Sequence, residues 1–273
     1  MDADRLTERR RASRAGRHIP HGTARVRPER HAPLRPARRR HHPVTTCAAA
    51  ITSLGCVQRP LVLAHRGASR AAAENTPEAF HLALRLGADG VELDARRAGR
   101  GELVVYHDPD LAGTPVRRLV EPPLPDLALA LDASAGGLVN VELKTDGDMP
   151  SGVAAALCGL LMRRGGRDRV LVSSFDPVAL RTVRALRPNT PTALVIGAEA
   201  DVAAALAEAA RAHHRAIHPK SELVDRLLVE HARALGLALH AWTVNDPDEV
   251  ARLVRLGIDG VITDVPDIAL AVL

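Results

Sequence analysis

Aromatic residues are almost missing from this chain. Two Phe, one Tyr and one Trp (Phe80, Phe175, Tyr106 and Trp242) are spread over 273 residues. Leu, Val, Ala and Ile must therefore fill any core, and an aromatic at a strand end stands out. Cysteine is scarce too. Cys47, Cys56 and Cys158 have no Cys-x-x-Cys spacing, which argues against a disulfide framework and a structural zinc site. Long apolar runs are also lacking: the mildly hydrophobic stretch 44–57, VTTCAAAITSLGCV, is too short to span a bilayer. These features predict a cytoplasmic protein without a transmembrane segment.

Acidic residues are scarce in only one part of the chain. Residues 1–59 hold 14 Arg and no Lys against Asp2, Asp4, Glu8 and Glu29, a balance of +10, whereas the whole chain carries +5. Residues 60–273 are therefore at −5, and the basic isoelectric point belongs to the arm. Rich in Arg, His and Pro and without apolar periodicity, residues 1–59 cannot bury enough surface to offset the entropy of ordering, so a disordered arm is expected. It has neither aromatics for stacking nor a recognisable nucleic-acid module, and no specific nucleic-acid partner is expected.

From residue 60 onward, short β-rich runs alternate with amphipathic helical patterns. Strands are expected at 61–65, 90–94, 102–107, 139–143, 170–175, 192–197, 216–218, 238–244 and 260–264. Helices are expected at 76–86, 124–133, 151–164, 177–187, 200–214, 221–235 and 246–256, with Gly87, Gly236 and Gly257 as stops. One connection settles the count. Only ARRAGRG separates Asp94 from Glu102, too little for a parallel crossover. That segment reads as a hairpin folded about the midpoint of Arg100 and Gly101, which would set His107 opposite Asp94. Eight strands then remain for a (β/α)8 TIM barrel over residues 60–273, with a short insertion after the second-strand hairpin. An open doubly wound sheet is the rival, disfavoured because no Gly-rich phosphate loop follows the first strand.

Such barrels carry their chemistry at the C-terminal ends of strands. Here those ends present His65 and Arg66, then Glu92 and Asp94, then His107 and Asp108, then Glu142 and Lys144. Singly, none of these is diagnostic. Jointly they are, because three carboxylates cannot be buried together without a cation. Glu92, Asp94 and Glu142 offer only oxygen ligands, which suit Ca2+ or Mg2+. His65 and His107 suit acid–base catalysis near neutral pH, and Arg66 and Lys144 supply the positive charge a phosphate needs. The set describes metal-assisted cleavage of a phosphodiester.

The stretches AHRGASRAAAENTPEAF, GADGVELDARRAGRGELVVYHD, NVELK, SSF, AWTVN and GVITDVP, in this order over residues 61–268, resemble the glycerophosphodiester phosphodiesterases, within the wider group that includes phosphatidylinositol-specific phospholipase C. The resemblance implies that His65 and His107 are the acid–base pair and that Glu92, Asp94 and Glu142 hold the metal. It further implies that Arg66 and Lys144 bind phosphoryl oxygens, that Trp242 lines the pocket near the glycerol, and that Glu74 and Asn75 tie down the first loop. The implied reaction is hydrolysis of a small-molecule glycerophosphodiester to sn-glycerol 3-phosphate and an alcohol. The segment between Asp108 and Val139 is shorter than is usual for the family, which leaves the pocket rim, and with it the head group, open. Two other classes remain: a phosphodiesterase for lysophospholipid, inositol or sphingolipid head groups on the same scaffold, and a non-catalytic anion-binding module.

Overall fold

The computed structural model describes residues 59–145 and 150–273. The expected disordered arm lies outside the described residues, apart from Arg59, whose guanidinium forms a fork with Asp89 at 2.7 and 3.0 Å. The first half of the fold runs β1 (Leu61–His65), α1 (Pro77–Arg85), β2 (Gly90–Arg97), β3 (Leu103–Val105), β4 (Asp110–Leu111), β5 (Thr114–Pro115), α2 (Leu127–Ala133), β6 (Leu138–Leu143) and α3 (Pro150–Arg163). The second half runs β7 (Val170–Ser174), α4 (Pro177–Leu186), β8 (Thr192–Ile196), α5 (Val202–Arg211), β9 (Ala216–Pro219), α6 (Arg226–Ala234), β10 (Ala238–Ala241), α7 (Pro247–Leu256), β11 (Gly260–Thr263) and α8 (Pro266–Val272).

Eight of these strands close on themselves. The order β1–β2–β6–β7–β8–β9–β10–β11 returns to β1 with every pairing parallel, and β3 adds to β2 antiparallel. The expected barrel is present, and the segment expected as a ninth strand is the return arm of a ribbon. Its register differs by one residue from the expectation. Ala95 pairs with Val105 and Arg96 with Val104, so Tyr106, through its N–H to the Asp94 carbonyl (3.0 Å), stands where His107 was expected. The ribbon pivots on residue 100 because Gly101 N–H donates back to the Ala98 carbonyl (2.9 Å) and Ala98 N–H donates to the Glu102 carbonyl (2.8 Å).

Alternation along each strand sorts two cores. Val62, Ala64, Val91, Leu93, Val139 and Val141 point outward under the helices, while Leu63, Leu138, Leu171, Ala193, Ala216 and Ile262 fill the barrel. Helix starts follow local capping chemistry. Thr76, Asp126, Asp176, Asp201, Asp225 and Asp246 each accept an N–H from the first turn, satisfying donors that would otherwise be orphaned. These caps explain why the helices expected to begin at 200 and 221 start at Val202 and Arg226. A short helix, α8, closes the chain where the sequence suggested none.

The barrel interior also buries a histidine pair. His218 Nε2 lies 3.1 Å from His240 Nδ1, and Gly260 makes room, since a Cβ there would come within 2.9 Å of the His240 ring. Burial pushes His240 down to about 4, and burial together with His240 holds His218 well below the usual imidazole range. The unfolded chain therefore binds protons that the folded chain refuses, and stability is lost as pH falls from 6.5 toward 4. For His240 alone the loss between pH 7 and pH 4.5 is about 2–3 kcal/mol. Buried carboxylates with raised pKa act in the opposite sense, so the informative quantity is a difference. The His240→Gln variant should lose about 2–3 kcal/mol less than wild type over that range in urea unfolding, and equal pH slopes would refute the assignment.

Candidate active site

His65 ends β1, and the chain turns away at once. Arg66 has φ +55°, and Gly67 has φ +83°, where an added Cβ would meet the Ala79 backbone at 2.7 Å. Only glycine fits that crossing. The turn leaves His65 facing the barrel mouth, with Nδ1 2.7 Å from Asp264 Oδ1. Asp264, just past β11, is held in turn by Ser69 Oγ (3.0 Å) and Asn245 Nδ2 (2.6 Å). Burial alone would raise the Asp264 pKa, but the hydrogen bonds from His65 and Asn245 outweigh it and bring it to about 2. For His65, burial pulls downward, yet the Asp264 hydrogen bond and the nearby Glu92 leave it above its ordinary value.

Glu92 and Asp94 on β2 and Glu142 on β6 converge, with one carboxylate oxygen from each lying within 4.8 Å of the others. The register pairs Asp94 directly with Glu142. Lys144 Nζ bridges Glu142 (2.5 Å) and Asp94 (3.0 Å), and Arg66 reaches Glu74 (3.0 Å) and Asp94 (3.3 Å). Asn75 donates its amide to Asp94 at 2.8 Å. Two buried carboxylates, Glu92 and Asp94, and the half-buried Glu142 face two permanent cations, so one negative charge is left over, and its location is visible. Burial would raise Asp94, but Lys144, the Asn75 amide and Arg66 keep it below the usual range. Burial raises Glu142, with Lys144 only partly opposing. Burial and the adjacent Asp94 push Glu92 up to about 8. Glu92 Oε1 is buried without a hydrogen-bond partner. An all-oxygen triad short of one positive charge, with an unpartnered acceptor, fits a hard divalent cation.

The remaining expected residues occupy the rim. His107 follows the end of β3, its Nδ1 2.8 Å from Asp108 Oδ1 and its side chain 39% exposed. Trp242, just past β10, packs on the interior cluster. It donates Nε1–H to the His218 carbonyl (2.9 Å) and meets Phe175 edge-to-face at 5.6 Å. Phe175 is 47% exposed, so two of the chain's four aromatic residues form one wall at the mouth. The structure thus gathers His65, Arg66, Glu92, Asp94, Glu142 and Lys144 into one contact network, with His107 and Trp242 on its border. Sequence reasoning passed over Asp264 and Asn245, although both lie in motifs it had singled out, GVITDVP and AWTVN. The strand-end rule applied to the last barrel strand would have found Asp264.

Fold and site together define a TIM-barrel phosphodiesterase, with imidazole, cationic and carboxylate groups at the C-terminal mouth. Comparison with known proteins narrows this. The model of the glycerophosphoryl diester phosphodiesterase family matches residues 65–148 and 138–268, and the chain belongs to that family. It is an enzyme of the phosphoric diester hydrolase class. A glycerophosphodiester phosphodiesterase of Caldanaerobacter subterraneus subsp. tengcongensis is 30% identical over 234 residues, covering 77% of this chain and 96% of that protein. The crystal structure of a phosphodiesterase from Oleispira antarctica in complex with the product sn-glycerol-3-phosphate aligns with a TM-score of 0.71 at 27% identity, over 78% of this chain and 96% of that one. A glycerophosphodiester phosphodiesterase from Thermotoga maritima aligns at 0.68 and 27% identity, over 79% and 99%.

Proposed function

We propose that the chain hydrolyses glycerophosphodiesters to sn-glycerol 3-phosphate and an alcohol, with Glu92, Asp94 and Glu142 holding a Ca2+ or Mg2+ ion. The observation that carries this reading is the uncompensated charge of the triad beside His65. When bound, such an ion supplies Lewis-acid stabilisation of charge on phosphoryl oxygens. The chain's own residues do the rest. Arg66 and Lys144 present positive charge to the phosphate. Asp264 accepts from His65 Nδ1–H, which leaves Nε2 as the atom that exchanges a proton. His107 is the second proton-transfer group. In the balanced step a hydroxyl oxygen, from water or from the glycerol 2-position, bonds to phosphorus while its proton passes to one histidine. The bond from phosphorus to the alcohol oxygen breaks, and that oxygen takes a proton from the other histidine. If the 2-hydroxyl attacks, the product of this step is a cyclic phosphate. A water then bonds to phosphorus, gives its proton to the second histidine, and releases the 2-oxygen, which is protonated by the first. Trp242 and Phe175 offer an apolar wall to the glycerol carbons. The cytoplasm remains the proposed compartment on composition, and among the described residues no helix is long and apolar enough to cross a membrane.

The test is a product assay. Glycerophosphocholine incubated with the enzyme and Ca2+ or Mg2+ should yield sn-glycerol 3-phosphate and choline in equal amounts. Release of phosphocholine and glycerol, or hydrolysis of lysophosphatidylcholine alone, would overturn the reading.

A further inference from the structure

Arg96 has no part in the chemistry described above, yet it grips the backbone of a residue that does. It lies on β2 two residues beyond Asp94, on the same face of the strand, and only 5% of it is exposed. Its guanidinium sets two N–H groups on the His107 carbonyl oxygen, from Nη2 at 2.6 Å and Nε at 3.1 Å. This contact comes where the ribbon stops holding itself together. The last ladder pairing is Ala95 with Val105, and Tyr106 N–H adds one more bond to Asp94. Beyond it the chain bends through His107 and Asp108 and leaves the strand. The bend also has a consequence for direction. In the observed register, strict alternation would put Tyr106 on the Asp94 face and His107 on the other, so the direction of His107 depends on the bend and on whatever fixes it.

We propose that Arg96 is the positioning residue for His107: through its carbonyl it fixes the bend that aims the imidazole at the mouth. The inference rests on the proposed role of His107 in proton transfer. Arginine suits the task because its planar fork brings two N–H groups to one oxygen, whereas lysine offers a point charge on a flexible stem. It also places carboxylates and proton-transfer group on one rigid strand, since β2 carries Glu92, Asp94 and the arm that holds His107, and sites built on strands keep tighter geometry than sites on loops.

A double-mutant cycle on the full chain tests this, with glycerophosphocholine as substrate at saturating metal. Arg96→Gln should lower kcat roughly 10- to 100-fold while KM and the metal concentration for half-maximal rate stay within about twofold. Arg96→Lys, which keeps the charge, should recover part of the loss and guards against a folding failure of the glutamine variant. In the His107→Ala background the same Arg96→Gln change should cost less than about threefold, because its target is already gone. Both single variants should alter the same limb of the kcat–pH profile, which a purely structural arginine would leave alone. Loss of activity in His107→Ala with a full, additive further loss from Arg96→Gln would overturn the Arg96 assignment alone. Near-normal activity of His107→Ala itself would overturn the reading beneath it.

Discussion

His65→Ala is expected to lower kcat by roughly 10²- to 10⁴-fold with the barrel intact, and His107→Ala by a similar factor. His65 carries the stronger structural case. Its ring is fixed at one nitrogen by Asp264, which is itself pinned by Ser69 and Asn245, so both the tautomer and the direction of the other nitrogen are set before substrate arrives. A graded companion follows. Asp264→Asn keeps the size of the side chain but removes the charge, and it should cost about 10- to 100-fold, less than loss of the imidazole. In the double variant the Asp264 effect should nearly vanish, since nothing is left to orient. Unfolding midpoints within a few degrees of wild type would separate chemistry from stability. Turnover of His65→Ala within about tenfold of wild type would remove it from the mechanism.

How far this site was legible from sequence depends on the range of each signal. The eight barrel strands show as apolar runs of the right length, and the strand-end rule brings forward His65, Arg66, Glu92, Asp94, Glu142 and Lys144, which the structure gathers in one place, because each sits on or beside its own strand in the chain. The ribbon register was missed because ARRAGRG has no alternating apolar pattern to fix it. Its pivot is set by backbone bonds around Ala98 and Gly101, and a one-residue slip changes which side chain faces Asp94. The partner of His65 was missed for a different reason: it is 199 residues away, at the closure where β11 meets β1, and no local pattern reports closure. Arg66 and Lys144 were expected to wait for phosphate. In the structure they also neutralise Asp94 and Glu142, a double duty visible only once the carboxylates are seen to converge. Arg96 sat within a quoted motif, but its partner is a backbone carbonyl, and side-chain identities alone do not reveal such a contact.

Removal of divalent metal should abolish hydrolysis, and Glu142→Gln should raise the metal concentration for half-maximal rate by at least roughly tenfold, on the scale of losing a directly coordinating charge. The argument is electrostatic. With Lys144 and Arg66 set against the triad's three carboxylates, one negative charge is still in excess, and Glu92 is driven up to about 8 by burial and by Asp94. Near neutral pH a bound divalent cation must therefore displace a proton from the triad, so metal binding should release protons and tighten as pH rises. Isothermal titration of metal into the enzyme in two buffers of different ionisation enthalpy reads that release directly, without any turnover. Glu142→Gln removes one negative charge and leaves a neutral oxygen in nearly the same place. Its weaker binding should be accompanied by less proton release, because Glu92 no longer faces a second buried carboxylate on β6. Lys144→Met should act the other way on the protons, raising the number released, since the triad loses its bridging cation. Full activity in excess chelator, or metal binding with no proton release at pH 7, would refute a cation site built from Glu92, Asp94 and Glu142.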